Sequence, residues 1–213
     1  ELNVNIRQAS GPVIDRAGDL AGMITNIQNR DVFFIDEIHR LNSVVEEYLY
    51  SAMEDYRIDI LIDSGPNART VRIDLEPFTL VGATTRLGKI TTPMRDRFGA
   101  IFRLEYYKTD EIFQVLERTA KILKVVVDKD ALHEIALRSR GTPRVANRIL
   151  KRVRDFAQVQ KSKKITLNQA IESLDNIGID KNGLEEMDRK ILKNLISKFN
   201  GGPTGGKSLA ISV

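Results

Sequence analysis

The run Val32-Phe33-Phe34-Ile35-Asp36-Glu37 decides how the rest of the chain is read. Its four apolar, mostly β-prone residues lack polar alternation. They predict a strand buried on both faces, as in a parallel sheet under helices. The two acids then fall at the carboxyl edge of the sheet, where α/β proteins open the crevice that takes ligands. There Asp36 suits a Mg²⁺ ion held through water beside nucleotide phosphates, and Glu37 suits the polarisation of an attacking water, the Walker B arrangement. The plainer reading is an exposed strand end carrying two ordinary acids.

Upstream, Ser10-Gly11-Pro12 is a turn, and residues 19–28 (Leu20, Met23, Ile24, Ile27) have helical spacing with Asp19 as N-cap. Downstream, Ser43 to Glu46 reads as a capping box opening a helix through Met53. Residues 57–75 read as a hairpin. Ile58, Ile60 and Ile62 alternate with Asp59 and Asp63, while Val71, Ile73 and Leu75 alternate with Arg72 and Asp74; Ser64-Gly65-Pro66-Asn67 supplies the turn. Its Ile-rich face is either an interaction site or a core element. Phe78-Thr79-Leu80-Val81 is a second buried strand candidate and Ile101-Phe102-Arg103-Leu104 a third. Thr84-Thr85 follows the second, so a hydroxyl can reach the crevice of Asp36. Arg95 and Arg97 come shortly after, and a guanidinium at a subunit edge stabilises charge on a transferred phosphoryl group. Arg144 opens a helix behind Gly141-Thr142-Pro143, with Pro143 suited to the first turn.

From Thr109 the pattern is helical: 110–124, then 128–139 capped by Asp128, then 143–160 with Val145, Ile149, Val153, Phe156 and Ala157 on one face. Thr166 to Gln169 is a capping box for a helix ending near Gly178, and 185–199 is a last helix with Ile191, Leu192, Leu195, Ile196 and Phe199 inside.

Composition limits the chemistry. The 213 residues are 42% hydrophobic and 29% charged, enough for a packed core. With no cysteine and only two histidines, His39 and His133, disulfides, thiolate nucleophiles and Cys- or His-rich metal centres are excluded. No apolar run reaches the roughly 18 residues of a membrane span. Net charge is +4, but Arg138 to Lys164 holds ten Lys or Arg against one acid, Asp155. That block suits a polyanion, or is simply a solvated helix face. Residues 201–208, Gly-Gly-Pro-Thr-Gly-Gly-Lys-Ser, fit the P-loop expression but follow an amphipathic helix instead of a buried strand, and the five residues after them are too few for a stable helix. They predict a turn between two helices, in which Lys207 holds no phosphate.

Four segments together carry a family resemblance: Phe34-Ile35-Asp36-Glu37-Ile38-His39-Arg40-Leu41, Phe78-Thr79-Leu80-Val81-Gly82-Ala83-Thr84-Thr85-Arg86, Met94-Arg95-Asp96-Arg97-Phe98-Gly99 and Arg140-Gly141-Thr142-Pro143-Arg144. In this order they closely resemble RuvB, the AAA+ ATPase family that drives branch migration of Holliday junctions. The likeness continues to Met187-Asp188-Arg189-Lys190 and Phe199-Asn200-Gly201-Gly202-Pro203. It implies an α/β fold: a partial AAA+ large domain with a protruding β-hairpin (1–107), a helical lid (108–181) and the start of a winged-helix domain (182–213). It also implies ATP and Mg²⁺ as ligands, with Asp36 as the metal-site acid, Glu37 as the catalytic base and Thr85 as sensor 1. Arg97 would be the arginine finger offered to a neighbouring subunit, with Arg95 the less favoured candidate, and Arg144 would be the sensor 2 arginine. Glu54, Asp55, Tyr56 and Tyr107 match positions counted with the family's nucleotide site; Tyr107 either packs on adenine or is a core tyrosine.

Implied partners are double-stranded DNA at a Holliday junction, RuvA through the 57–75 hairpin, RuvC, and further copies in a hexameric ring, in the cytoplasm and with no membrane. The family's Walker A loop lies upstream of the segment matching residues 1–20, so the chain reads as an internal fragment, with weak ATP binding and poor solubility expected of it alone. The alternative is a non-catalytic AAA+-like adaptor that lost its P-loop.

Overall fold

The computed structural model describes residues 4–61 and 69–213, which divide into two compact units, Glu1–Phe102 and Arg103–Val213. In the first, β1 (Ile6–Ser10) leads through α1 (Ala17–Ile24) to β2 (Val32–Asp36), and α2 (Ser43–Glu54) leads to the hairpin strands β3 (Arg57–Leu61) and β4 (Thr70–Asp74). Then follow β5 (Thr79–Gly82) and α3 (Thr92–Arg97). The sheet runs β1-β2-β5, all parallel, so the strand bearing the acids is central. Register sets Ser10 beside Asp36 and Ile35 beside Gly82.

Burial of one strand face drives this layer. Phe33 and Ile35 are fully buried, and Leu20 and Ile24 of α1 and Val45 and Leu49 of α2 belong to the same core. The face bearing Val32 and Phe34 is only half-buried, so burial on both faces does not hold, and β5 is exposed at Val81 instead of buried. Ile101–Leu104 is not a strand: Phe102 is 84% and Leu104 93% exposed. Its apolar run is right for a strand, but it pairs with none of the described strands, and a ladder needs a partner.

Two expected caps move. Asn42, not Ser43, caps α2 by accepting the Val45 N–H at 2.9 Å, which leaves Glu46 free for other bonds. Asp19 sits inside the first turn of α1 and accepts the Arg16 N–H at 2.9 Å.

The hairpin pairs antiparallel with Ile58 opposite Ile73 and Asp59 opposite Arg72, so its apolar and charged faces form as the alternation predicts. Ile58 and Leu75 are buried core residues, and Val71 is 41% exposed farther out. The core reading holds at Ile58 and Leu75, and the outer part of the face is open to solvent. Ile62, Asp63 and the predicted turn Ser64-Gly65-Pro66-Asn67 lie outside the described residues.

The second unit packs α4 (Thr109–Ile122), α5 (Lys129–Arg138), α6 (Pro143–Val159) and α7 (Leu167–Asn176) around Ile112, Leu116, Ile135, Ile149, Leu150, Val153 and Leu174. Thr166 and Gln169 form the expected capping box. On α6 it is Ala146 and Leu150 that are buried beside Ile149 and Val153, while Phe156 stays partly exposed. Half of the basic block is ion-paired. Arg138 is buried against Glu134 and Asp175, and Arg140, Arg148, Arg154 and Lys164 pair with Asp188, Glu185, Asp155 and Asp128. α8 (Glu186–Phe199) buries none of its residues, contrary to its amphipathic pattern; Ile196 is 67% exposed. The glycine-rich stretch does join two helices, with Asn200 and Gly201 left-handed, and α9 (Gly206–Ser212) starts earlier than expected. No helix among the described residues is long and apolar enough to cross a membrane.

Buried Asp31 ties the strand starts together. Its carboxylate accepts the Asn5 and Gln28 N–H groups at 3.0 Å each, and its carbonyl accepts from Thr79. The Gln28 bond, ahead of the Asn5 bonds, holds its pKa below the ordinary 3.8 despite burial. The stability this adds is complete above 3.8 and is lost as pH falls through the lower folded value. Asp31→Asn is expected to lower the thermal midpoint at neutral pH and to make the loss of stability below pH 3.8 shallower, read by circular dichroism melts across pH. Parallel curves for both proteins would refute it.

Candidate active site

β2 and β5 are stitched together just beyond their ends. The Ala83 N–H donates to the Ile35 carbonyl at 2.9 Å and the Ala83 carbonyl accepts the Ile38 N–H at 3.0 Å. This brings the segment after Asp36 against the segment after Gly82. Glu37 takes a left-handed conformation, φ 50°, uncommon for a residue with a Cβ and found where surrounding structure enforces it. Two glycines leave the room. A Cβ on Gly11 would stand 2.5 Å from the Glu37 carbonyl oxygen, and one on Gly82 would stand 2.9 Å from Ile38.

The side chains then converge. Asp36, exposed at the strand end, accepts the Glu37 N–H at 2.9 Å. Thr85 Oγ1 donates to the Glu37 carboxylate, 3.2 Å from Oε2. His39, its side chain 5% exposed, sets Nδ1 3.2 Å from Glu37 Oε2 and 2.8 Å from Thr84 Oγ1. The Thr84 hydroxyl and the imidazole share one hydrogen bond, while the ring packs beside the carboxylate that Thr85 holds. No cluster of three metal-ligating side chains occurs among the described residues. Asp36 fits a Mg²⁺ bound mainly by water and phosphate, which needs only one or two carboxylates.

Arg97 and Glu54 form a second group. Arg97 Nε is 3.0 Å from Glu54 Oε1 without forming a hydrogen bond, and its Nη2 donates to Glu54 Oε2 in a long bond of 3.5 Å. Its Nη1 donates to the Pro93 carbonyl at 2.9 Å, and its guanidinium lies 4.4 Å over the Tyr50 ring. Arg95 folds onto the Ile90 carbonyl. Asp55 pairs with Arg57 at 3.2 Å, and Tyr56 meets Phe78 edge-on. Neither Asp55 nor Tyr56 touches Asp36 or Glu37.

In the second unit the Tyr107 N–H donates to the Gly141 carbonyl at 3.0 Å, next to the turn whose Pro143 and Arg144 start α6. Tyr106, Tyr107, Arg140, Gly141 and Thr142 line a cavity of about 460 Å³. Tyr107 is 51% exposed and hence not a core residue, and Arg144 is exposed. Gly141 is left-handed (φ +69°), and a Cβ there would meet the Tyr107 carbonyl at 2.5 Å.

Two family models match the chain: "Holliday junction DNA helicase RuvB P-loop domain" over residues 1–104 and "RuvB AAA lid domain" over 107–180. The chain belongs to the RuvB family. The "Holliday junction branch migration complex subunit RuvB" of Myxococcus xanthus is 58% identical over all of this chain and 62% of its own length. That of Christiangramia forsetii is 59% identical over the same shares. The solved "Thermotoga maritima RuvB Holliday junction branch migration motor" is 45% identical with a TM-score of 0.82, covering 98% of this chain and 65% of its own. The chain thus spans about 62% of the length of the curated RuvB relatives it matches.

Sequence reasoning quoted His39 but gave it no role, gave Glu46 only a capping role, and passed over Tyr50. The i,i+4 spacing of Glu46 and Tyr50 was a readable signal, whereas nothing in the sequence pairs His39 with Glu37 and Thr84. Replacing His39 by alanine removes the imidazole that packs beside Glu37 and bonds Thr84. In the intact gene product His39→Ala is expected to slow ATP turnover roughly tenfold, as small misplacements of reacting groups do, with nucleotide affinity kept. Steady-state ATPase assays beside nucleotide titration check this, and unchanged turnover would show that Glu37 needs no such support.

Proposed function

We propose that this chain carries the hydrolytic and subunit-coupling part of an ATP-driven motor that moves Holliday junctions, working as a homo-hexameric ring with RuvA and RuvC in the cytoplasm. The observation that carries this reading is the meeting of Glu37 with Thr85 beside Asp36, at the carboxyl ends of two adjacent parallel strands, within a RuvB-family fold. That edge is where α/β sheets take nucleotides.

In the proposed mechanism Glu37 orients a water and takes its proton as the water oxygen bonds to the γ-phosphorus and the bond to the ADP oxygen breaks. Thr85 holds the Glu37 carboxylate in line and senses the γ-phosphate. Asp36 would hold a Mg²⁺ ion, which would supply charge neutralisation of the phosphates. Arg97 acts in the neighbouring subunit's site, leaving a half-exposed Glu54 whose hold is worth only about 0–1 kcal/mol. Glu54, Asp55 and Tyr56 would line the same shared site. Tyr107 ends the ATPase part and Arg144 lies in the lid; the cavity beside Gly141 suits an adenine face, and Arg144, which has no ion pair among the described residues, suits a phosphate. The domain assignment follows: 1–107 as ATPase, 108–181 as lid, 182–213 as the beginning of a winged-helix DNA-binding domain. The outer hairpin, exposed at Val71, would dock RuvA.

The test uses the intact gene product with RuvA and a synthetic four-way junction. Glu37→Gln is expected to lower kcat by about 10²–10⁴, the range for loss of a general base, and Arg97→Ala by about 10³ or more. Both should bind nucleotide normally and fail to move the junction in a strand-separation assay. Retained turnover in either variant would remove the role given to that residue.

A further inference from the structure

Arg97 does not rest on a casual neighbour. Tyr50 presents its ring face to the guanidinium and is itself suspended. Its phenol donates to Glu46 Oε2 at 2.9 Å, and Thr91 Oγ1 donates to the same oxygen at 2.9 Å, with the two hydroxyls 3.1 Å apart. Thr91 also caps α3, the helix that carries Arg97, by accepting the Met94 N–H. Glu46 is 7% exposed. Burial above all, and the neighbouring Glu46 carboxylate as well, push the Tyr50 pKa upward, so the phenol keeps its proton and remains a donor. A buried carboxylate is costly unless fully bonded, and an aliphatic pair would pin two helices more cheaply. Neither Glu46 nor Tyr50 has any part in the mechanism above.

We propose that Tyr50, hung from Glu46 and Thr91, is the positioning residue for Arg97 and sets the direction in which the guanidinium leaves α3. The ring gives the cation a sliding, non-bonded face, while Glu54 offers a counter-charge that salt and solvent weaken. Arg97 can therefore exchange Glu54 for a phosphate without losing its bearing. Both partners sit on α2, which begins just beyond Glu37, so one rigid helix joins a subunit's own hydrolytic turn to the arginine it lends. This inference rests on the reading of Arg97 as acting in a neighbouring subunit.

The experiment mixes variants of the intact gene product in one ring. Tyr50→Leu alone is expected to lower kcat roughly 10–100-fold with little change in the KM for ATP. Tyr50→Phe keeps the ring and loses only the tether, so it should fall several-fold. Rings mixed from Y50L and E37Q subunits should then turn over faster than either variant alone. An E37Q subunit lends a well-held Arg97 to a Y50L neighbour whose own Glu37 is intact. R97A mixed with E37Q runs in parallel. Recovery in that control without recovery in the Y50L mixture overturns the role of Tyr50 and leaves the trans-acting arginine standing. Failure of the control removes the trans-acting arginine and the role of Tyr50 with it. If Y50L subunits do not assemble, Y50F carries the same comparison: its smaller deficit must be relieved by mixing with E37Q, and a deficit that mixing leaves unchanged overturns the proposal.

Discussion

The reciprocal backbone pair at Ala83 is the constraint on which the site depends. One residue binds Ile35 through its N–H and Ile38 through its carbonyl. Two strand ends, far apart in the chain, are thereby clamped at a fixed offset. Side chains one or two positions beyond each anchor have little choice but to meet, and Glu37, Thr85, His39 and Thr84 do. The left-handed backbone at Glu37 is the cost of the clamp, and Gly11 and Gly82 are the space it requires. A hydrogen bond in a ladder end is worth about 1 kcal/mol net, so its value here is geometric more than energetic.

The two charged groups of the first unit are held by different physics. Glu37 is fixed by a hydrogen bond from the Thr85 hydroxyl, short-ranged and angle-dependent, with the buried His39 imidazole 3.2 Å from the same carboxylate. Arg97 has one short directed bond, from Nη1 to the Pro93 carbonyl of its own helix, and is otherwise held by a ring face and an exposed carboxylate, attractions that vary slowly with direction. Asp36, exposed and bonded only to the Glu37 N–H, keeps its outer face open to water and ions.

Much of this was legible in the residues. The apolar run before Asp36-Glu37 predicts the central strand, alternation predicts the hairpin's facing pairs, and a hydroxyl after the second strand predicts the meeting with Glu37. What stayed hidden depends on neighbours. Ile101–Leu104 has strand composition, but strand formation needs a ladder partner that sequence cannot supply. α8 has a helical apolar stripe, but a stripe does not say that it is covered. How the basic block is paired was not legible, because Asp175 and Glu185 lie well outside the window in which charge was read. The caps shifted by one and three positions because Asn42 and Arg16, not Ser43 and Asp19, hold the extended backbone that precedes a helix.

The two apolar clusters, one around Phe33 and Ile35 and the other around Ile135 and Ile149, have no residue in common. Each therefore has its own enthalpy of melting and its own temperature at which packing fails. Heat taken up in a calorimeter should arrive as two overlapping peaks, and a lone midpoint quoted for the whole polypeptide would average two separate cooperative events.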